Sequence, residues 1–210
     1  MNFRAFQALA GSLPYFDLPM ALQWTGQERH SLVVQLGRWT RAGYLIALRR
    51  GLHTLAEPFR KTPISAPELA NVIYSPAYLS LEWALGQYGL IPEAVPVLTS
   101  VTSRATRTFE NSLGRFEYRS IQPGLFAGFV RRELLGSNLY IADPEKAILD
   151  FFYFSEGEWS SERHEEMRWQ NLNLLRSTKL KEMVDLFPNR VQRAMQGLEK
   201  HKAREKGIRL

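Results

Sequence analysis

Cysteine is absent from all 210 residues, which excludes disulfides, zinc–thiolate sites and thiol catalysis. No run of about 18 apolar residues occurs, the length a membrane-spanning helix needs. The start, MNFRAFQALAGSLPYF, lacks a cationic stretch followed by an apolar signal core. A cytoplasmic protein is therefore the expectation. Histidine is scarce, and the four present (His30, His53, His164 and His201) are scattered without metal-ligand spacing. The GxxxxGKS phosphate loop, HExxH and GxSxG are all missing, so no catalytic residue, metal or cofactor is expected. There is no internal repeat and no low-complexity segment.

Positive charge is present in surplus and unevenly placed. Residues 1–61 hold eight Lys/Arg against three Asp/Glu, a surplus of +5. Residues 62–155 hold seven against nine, or −2, and residues 156–210 hold twelve against nine, or +3. Cations at the two ends suit a partner that carries phosphate, because each neutralised phosphate releases counterions. A basic surface with no partner gives the same count. With 45% apolar and 23% charged residues the chain is of folded composition, long enough for one large domain or two small ones.

The segment LVVQLGRWTRAGYLIALRRGLHTL, residues 32–55, reads as a helix, a glycine stop, a strand, a tight basic turn and a second strand. Before it, Asn2 caps a helix carrying Phe3, Phe6, Leu9 and Ala10, stopped by Gly11. A short helical piece spans Met20 to Trp24, and a longer helix runs from about Gln27 to Ala42 with Leu32, Leu36 and Trp39 as its apolar stripe. Two helices joined by a glycine-containing turn, then a hairpin, follow the plan of a winged helix-turn-helix. Off the stripe lie Arg29, His30, Ser31 and Gln35, placed nearest DNA bases, and Arg38 and Arg41, placed on the phosphate backbone. Arg49 and Arg50 sit at the hairpin tip, suited to a minor groove or phosphates. His53, just beyond the hairpin glycine, joins this DNA-facing set. A helix whose charged side simply faces water would show the same residues. Gly37 in mid-helix costs on the order of 1 kcal/mol relative to alanine.

Residues 57–68, with three prolines and no helical period, predict a linker. Ser75-Pro76 predicts a helix start, with Leu79, Trp83 and Leu85 on its buried side and Gly89 ending it. Strands are expected over 95–102, 106–110 and 115–121. A further hairpin is expected with Leu134-Leu135 and 139–142 flanking Gly136-Ser137-Asn138, then an apolar helix from Asp143-Pro144. Beyond Trp159 the chain reads as helical and polar, broken by Pro188 and ending in the charged run GLEKHKAREKGIRL. The fold class is thus α+β, without a parallel βαβ repeat: a winged helix-turn-helix over residues 1–60 and a mixed α+β domain over 61–210 with a helical, basic tail.

Two groups of residues carry possible chemistry here. Arg104, Arg107, Arg115 and Arg119 lie on or beside predicted strands with threonines nearby, a patch suited to a phosphate-bearing partner. The alternative is an edge hairpin whose arginines are balanced by Glu110 and Glu117. Asp143, Glu145 and Lys146, with Asp150 one turn on, have the residue types of a Mg²⁺-dependent nuclease. The simpler account is a helix start in which Asp143 caps, Pro144 begins the helix and Glu145 complements its dipole.

The winged-helix outline, then YSPAYLSLEWALGQYGLIPE, VLTSVTSRATRTFE, GRFEYRSIQP and IADPEKAILDFFYF, resembles the AbiEi family of antitoxins and transcriptional regulators over roughly residues 20–155. The resemblance implies a winged helix that binds inverted repeats in double-stranded promoter DNA and represses its own operon, two copies docking on the DNA. It implies a second domain that counteracts a nucleotidyltransferase-like toxin without a stable complex, in a type IV toxin–antitoxin or abortive-infection system. By position, Arg104, Arg107, Arg115 and Arg119 would form the antitoxin surface. The chain departs from the family at His53, where tyrosine is frequent, at Trp39, where an aliphatic residue is usual, and at Gly37. Two other readings stand beside this one: a stand-alone regulator whose second domain senses a ligand or partner, and the nuclease.

Overall fold

The computed structural model describes residues 1–134 and 136–208. Leu135, assigned to the second hairpin, and Arg209 and Leu210 of the basic tail lie outside the described residues. Asn2 opens α1 (Phe3–Ala10) by accepting the Ala5 N–H at 2.9 Å, the cap its position predicts. β1 (Phe16–Asp17) ends in Asp17, which caps α2 (Leu18–Thr25) by accepting the Met20 N–H at 2.9 Å. α3 (Arg29–Arg41) buries Leu32, Leu36 and Trp39, as their spacing predicts. β2 (Leu45–Arg49) and β3 (Leu52–Leu55) turn at Arg50-Gly51, where Gly51 adopts φ +77°, a backbone state that side chains resist. The three strands form one antiparallel sheet in the order β1-β3-β2.

Aromatic rings hold this N-terminal unit together. Phe6 meets Phe16 and Trp39 with centroids 5.2 and 5.0 Å apart, tying α1 to β1 and α3. Each such ring removes about 150–250 Å² from water, which lets a small unit keep a core. A bulge between Ala47 and Arg49 turns Leu48 out of this core. Leu48 and Leu52 instead join the larger core of the second unit. The hairpin is thus packed against its neighbour.

The second unit begins with α4 (Ala66–Ile73), inside and just beyond the predicted linker. Ser65 accepts the Glu68 N–H at 3.4 Å and Pro67 sits in the first turn. The helix predicted at Ser75-Pro76 is also corrected. Residues Ala77–Leu79 form β4, paired with Ser100, Val101 and Thr102, and the helix begins only after Ser80, as α5 (Leu81–Gln87). The run is apolar throughout and buried in the sheet centre, so it carries no period to tell strand from helix.

β5 (Leu98–Thr102), β6 (Arg107–Asn111), β7 (Gly114–Ser120), β8 (Phe129–Leu134) and β9 (Ser137–Ala142) complete a six-stranded sheet, order β6-β7-β5-β4-β9-β8. Its pairing is mixed: β5 with β7 and β4 with β9 run parallel, the others antiparallel. The molecule is α+β, as expected. Tyr118 on β7 donates to the Ala70 carbonyl of α4 at 2.6 Å, fixing that helix on one face. On the other face lies α6 (Pro144–Phe154), whose Asp150 accepts from Tyr78 and Ser80 at 3.0 and 2.8 Å. α7 (Ser161–Glu166), α8 (Ser177–Val184) and α9 (Asn189–Ile208) pack around α6. Among the described residues no helix is long and apolar enough to cross a membrane.

Candidate nucleic-acid interface

A helix turns about 100° per residue, so burying Leu32, Leu36 and Trp39 fixes which side chains face out. On α3 the opposite line runs through His30, Val34, Gly37 and Arg41, with Ser31, Val33 and Arg38 beside it, and all but Gly37 are exposed. Arg29 is exposed at the flank, and Arg50 is exposed at the hairpin turn. Among the described residues no carboxylate lies within ion-pairing distance of Arg29, Arg38, Arg41 or Arg50. The outward face of α3 is therefore cationic.

Glu28, at the start of α3, is internally used. Its carboxylate caps α3 by accepting the Ser31 N–H at 3.1 Å. Backbone N–H groups of His30 and Ser31 hold it below the usual glutamate range. The sequence reading, which began the helix at Gln27, missed this cap.

Three of the nine DNA-facing residues expected from sequence are placed differently. Gln35 turns toward α1 and donates to the Met1 carbonyl at 2.6 Å, so its amide is engaged at the chain start. Arg49 curls over the turn to donate to the Arg50 carbonyl at 2.9 Å, its Nε is buried, and its charge acts on the buried Tyr118 phenol. The bulge at Leu48 turns it that way. His53 lies in the central strand opposite Phe16, its ring stacked on that phenyl with centroids 5.9 Å apart. Burial pushes the His53 imidazole below its ordinary value.

The four arginines expected to form one patch, Arg104, Arg107, Arg115 and Arg119, fall on opposite faces of the sheet. Arg107 pairs with Tyr118 and so lies on the α4 face, where Arg104 stacks 4.3 Å over Tyr74 and Arg107 lies 5.8 Å from the same ring. Arg115 and Arg119 alternate to the α6 face. Arg115 pairs there with Glu117 at 2.8 Å, and Arg119 lies 6.0 Å over Phe154. Asn111, at the end of β6, donates to the Leu48 carbonyl at 3.1 Å and so ties this hairpin to β2.

The acidic group at the start of α6 is buried and matched to the chain's own cations. Asp143 occupies the cap position but makes no capping bond: its carboxylate binds Arg132, at 3.0 Å, and Lys179. That corrects the capping account, and Pro144 alone starts the helix as expected. Burial pushes the Glu145 carboxyl up, and Arg176 overrides this through backbone and side-chain N–H groups, holding it below its ordinary value. Lys146 and Asp150 form a fully buried pair. Among the described residues no three His, Cys, Asp or Glu converge to hold a metal.

A cleft of about 630 Å³ lies where the two units meet, lined by Tyr15, Asn71, Phe126, Phe129, Arg131 and Tyr140 among others. Its lining is of mixed aromatic and polar character. No protein-family model and no curated protein matches this chain.

Proposed function

We propose that the chain is a DNA-binding transcriptional repressor whose N-terminal unit is a winged helix. α3 serves as the recognition helix in the major groove, and the β2–β3 hairpin serves as the wing. The observation that carries this reading is the cationic face of α3, where Arg29, Arg38 and Arg41 are exposed and meet no carboxylate among the described residues, with Arg50 exposed at the hairpin turn. An α-helix fits the major groove, and free guanidinium groups neutralise phosphates and read guanine edges. Promoter DNA with inverted repeats is the proposed ligand, with one copy of the chain on each half-site.

The resemblance to AbiEi antitoxins extends the proposal to the second unit, as a domain that opposes a nucleotidyltransferase-like toxin. What favours it is that the four motifs outside the winged-helix outline build one continuous region: β4 and α5, β5 and β6, β7, and the end of β9 with α6. Arg104 and Arg107 on one face, or Arg115 and Arg119 on the other, supply the contact surface. A sensor of small ligands is the second reading, favoured by the cleft lined by Phe126, Phe129 and Tyr140.

Gel-shift titration against DNA upstream of its own gene tests the first proposal. The wild type binds and Arg38→Ala/Arg41→Ala binds much more weakly; equal binding by both removes α3 from the account. Co-expression with the neighbouring gene tests the second. Rescue of growth from a toxic neighbour, lost in Arg104→Ala/Arg107→Ala or in Arg115→Ala/Arg119→Ala, supports it, and a harmless neighbour ends it.

A further inference from the structure

Two valines and a glycine lie on the outward side of α3, Val34 and Gly37 on the line opposite the buried stripe and Val33 beside it. Val33 and Val34 are 47% and 38% exposed. β-branched side chains lose rotamer freedom in a helix, so neither helix stability nor solvation favours them at these positions. Gly37 follows one turn after Val33. A Cβ built at Gly37 meets nothing within 4 Å, so the fold does not demand a glycine there. All three residues run against local stability, on the face that carries Arg38, Arg41 and His30.

The exposed cations call for a polyanion, and the apolar side chains among them call for an apolar group in that polyanion's groove. Duplex DNA meets both conditions, because the C5-methyl of thymine projects into the major groove. Duplex RNA meets only the first: its major groove is too deep and narrow for side chains to read, and uracil has no methyl.

We infer that Val33 and Val34 read thymine methyl groups, and that Gly37 lets the helix backbone approach the base edges closely. The sequences bound are then thymine-containing half-sites rather than runs of G·C. This rests on the winged-helix reading above and assigns the specificity of the same surface to residues that reasoning from polar side chains passed over.

The test selects duplexes that the full chain binds from a random-sequence pool, then remakes the best one with deoxyuridine in place of thymidine. Loss of a buried methyl contact weakens wild-type binding by about fourfold per methyl. Val33→Ala/Val34→Ala binds the thymidine duplex more weakly and no longer distinguishes it from the deoxyuridine duplex. Gly37→Ala raises the melting temperature while lowering affinity, which a purely structural glycine would not do. Equal wild-type affinity for thymidine and deoxyuridine duplexes overturns the inference and leaves DNA binding intact. Absence of any selected duplex overturns the DNA reading itself. Self-association abolished by Val33→Lys/Val34→Lys, with equal binding of both duplexes, assigns the patch to a second copy and also overturns the inference.

Discussion

The cations set against acids in the second unit and the cations on the outward face of α3 are used in opposite ways. In the second unit Arg176 holds Glu145, Arg132 and Lys179 share Asp143, Lys146 is buried with Asp150, and Arg115 takes Glu117. In the first unit Arg29, Arg38, Arg41 and Arg50 meet no carboxylate among the described residues. Charges closed on one another inside a protein set its shape, and charges left open on a convex helix set what it attracts. Total charge does not separate these cases; pairing does. The nuclease reading and the DNA reading both began from charged clusters, and only the α3 cluster stays open.

Substitutions sharpen or break this contrast. The largest effect is expected at Asp150, whose carboxylate accepts from Lys146, Tyr78 and Ser80 in a fully buried site. Asp150→Ala leaves a buried lysine without its counter-charge and lowers unfolding free energy by about 3–5 kcal/mol in urea titration. Adding Lys146→Met to Asp150→Leu recovers most of the loss. A loss below about 1 kcal/mol would show that the pair is not the anchor of α6.

Arg38→Ala/Arg41→Ala is expected to do the reverse. Stability moves by no more than about 0.5 kcal/mol, as for surface positions without partners. Affinity for DNA falls on the order of tenfold and the salt slope becomes shallower by about 2, one unit per phosphate contact. Within the hairpin, Arg50→Ala weakens DNA binding more than Arg49→Ala does, because Arg49 is turned back toward Tyr118.

A smaller effect comes from His164, buried between α7 and α9, where burial first and the nearby His201 second push its pKa down from 6.5 to about 4. Above pH 6.5 both folded and unfolded chains carry it neutral. As pH falls toward 4 the unfolded chain takes up the proton first, so stability is lost across that window. His164→Gln removes that part of the slope, and an unchanged profile contradicts the assignment. The smallest effect is expected at Arg115, whose pair with Glu117 is largely exposed on the arginine side. Arg115→Ala costs between about 0 and 1 kcal/mol in the same urea titration.

Legibility followed the range of the interactions involved. α1 and α3 were visible because Asn2 and the Leu32–Leu36–Trp39 stripe act within a few residues. β3 was visible because Gly51 marks the turn before it. α4 was readable but unread: Ser65, Pro67 and Glu68 carry the capping pattern within a proline-rich stretch that looked like a linker. β4 was not readable, since a strand apolar on both sides has no period. Asp143 misled because its true partners, Arg132 and Lys179, stand 11 and 36 positions away. Arg115 and Arg119, four positions apart on β7, share a face by strand parity. Their separation from Arg107 needed the β6–β7 register, in which Arg107 faces Tyr118. Gln35 and Arg49 were assigned by type, and contacts with Met1 and the Arg50 carbonyl settled where they point.

The open cationic face of α3 is tested most directly by measuring DNA affinity of the full chain as salt is raised. Each phosphate neutralised contributes roughly −0.9 to the slope of log K against log salt, so four free arginines give a slope of about −3 to −4. A linear fall of that size, made shallower by Arg38→Ala/Arg41→Ala, is the predicted result. Binding that is absent, or that ignores both salt and these substitutions, would contradict the account.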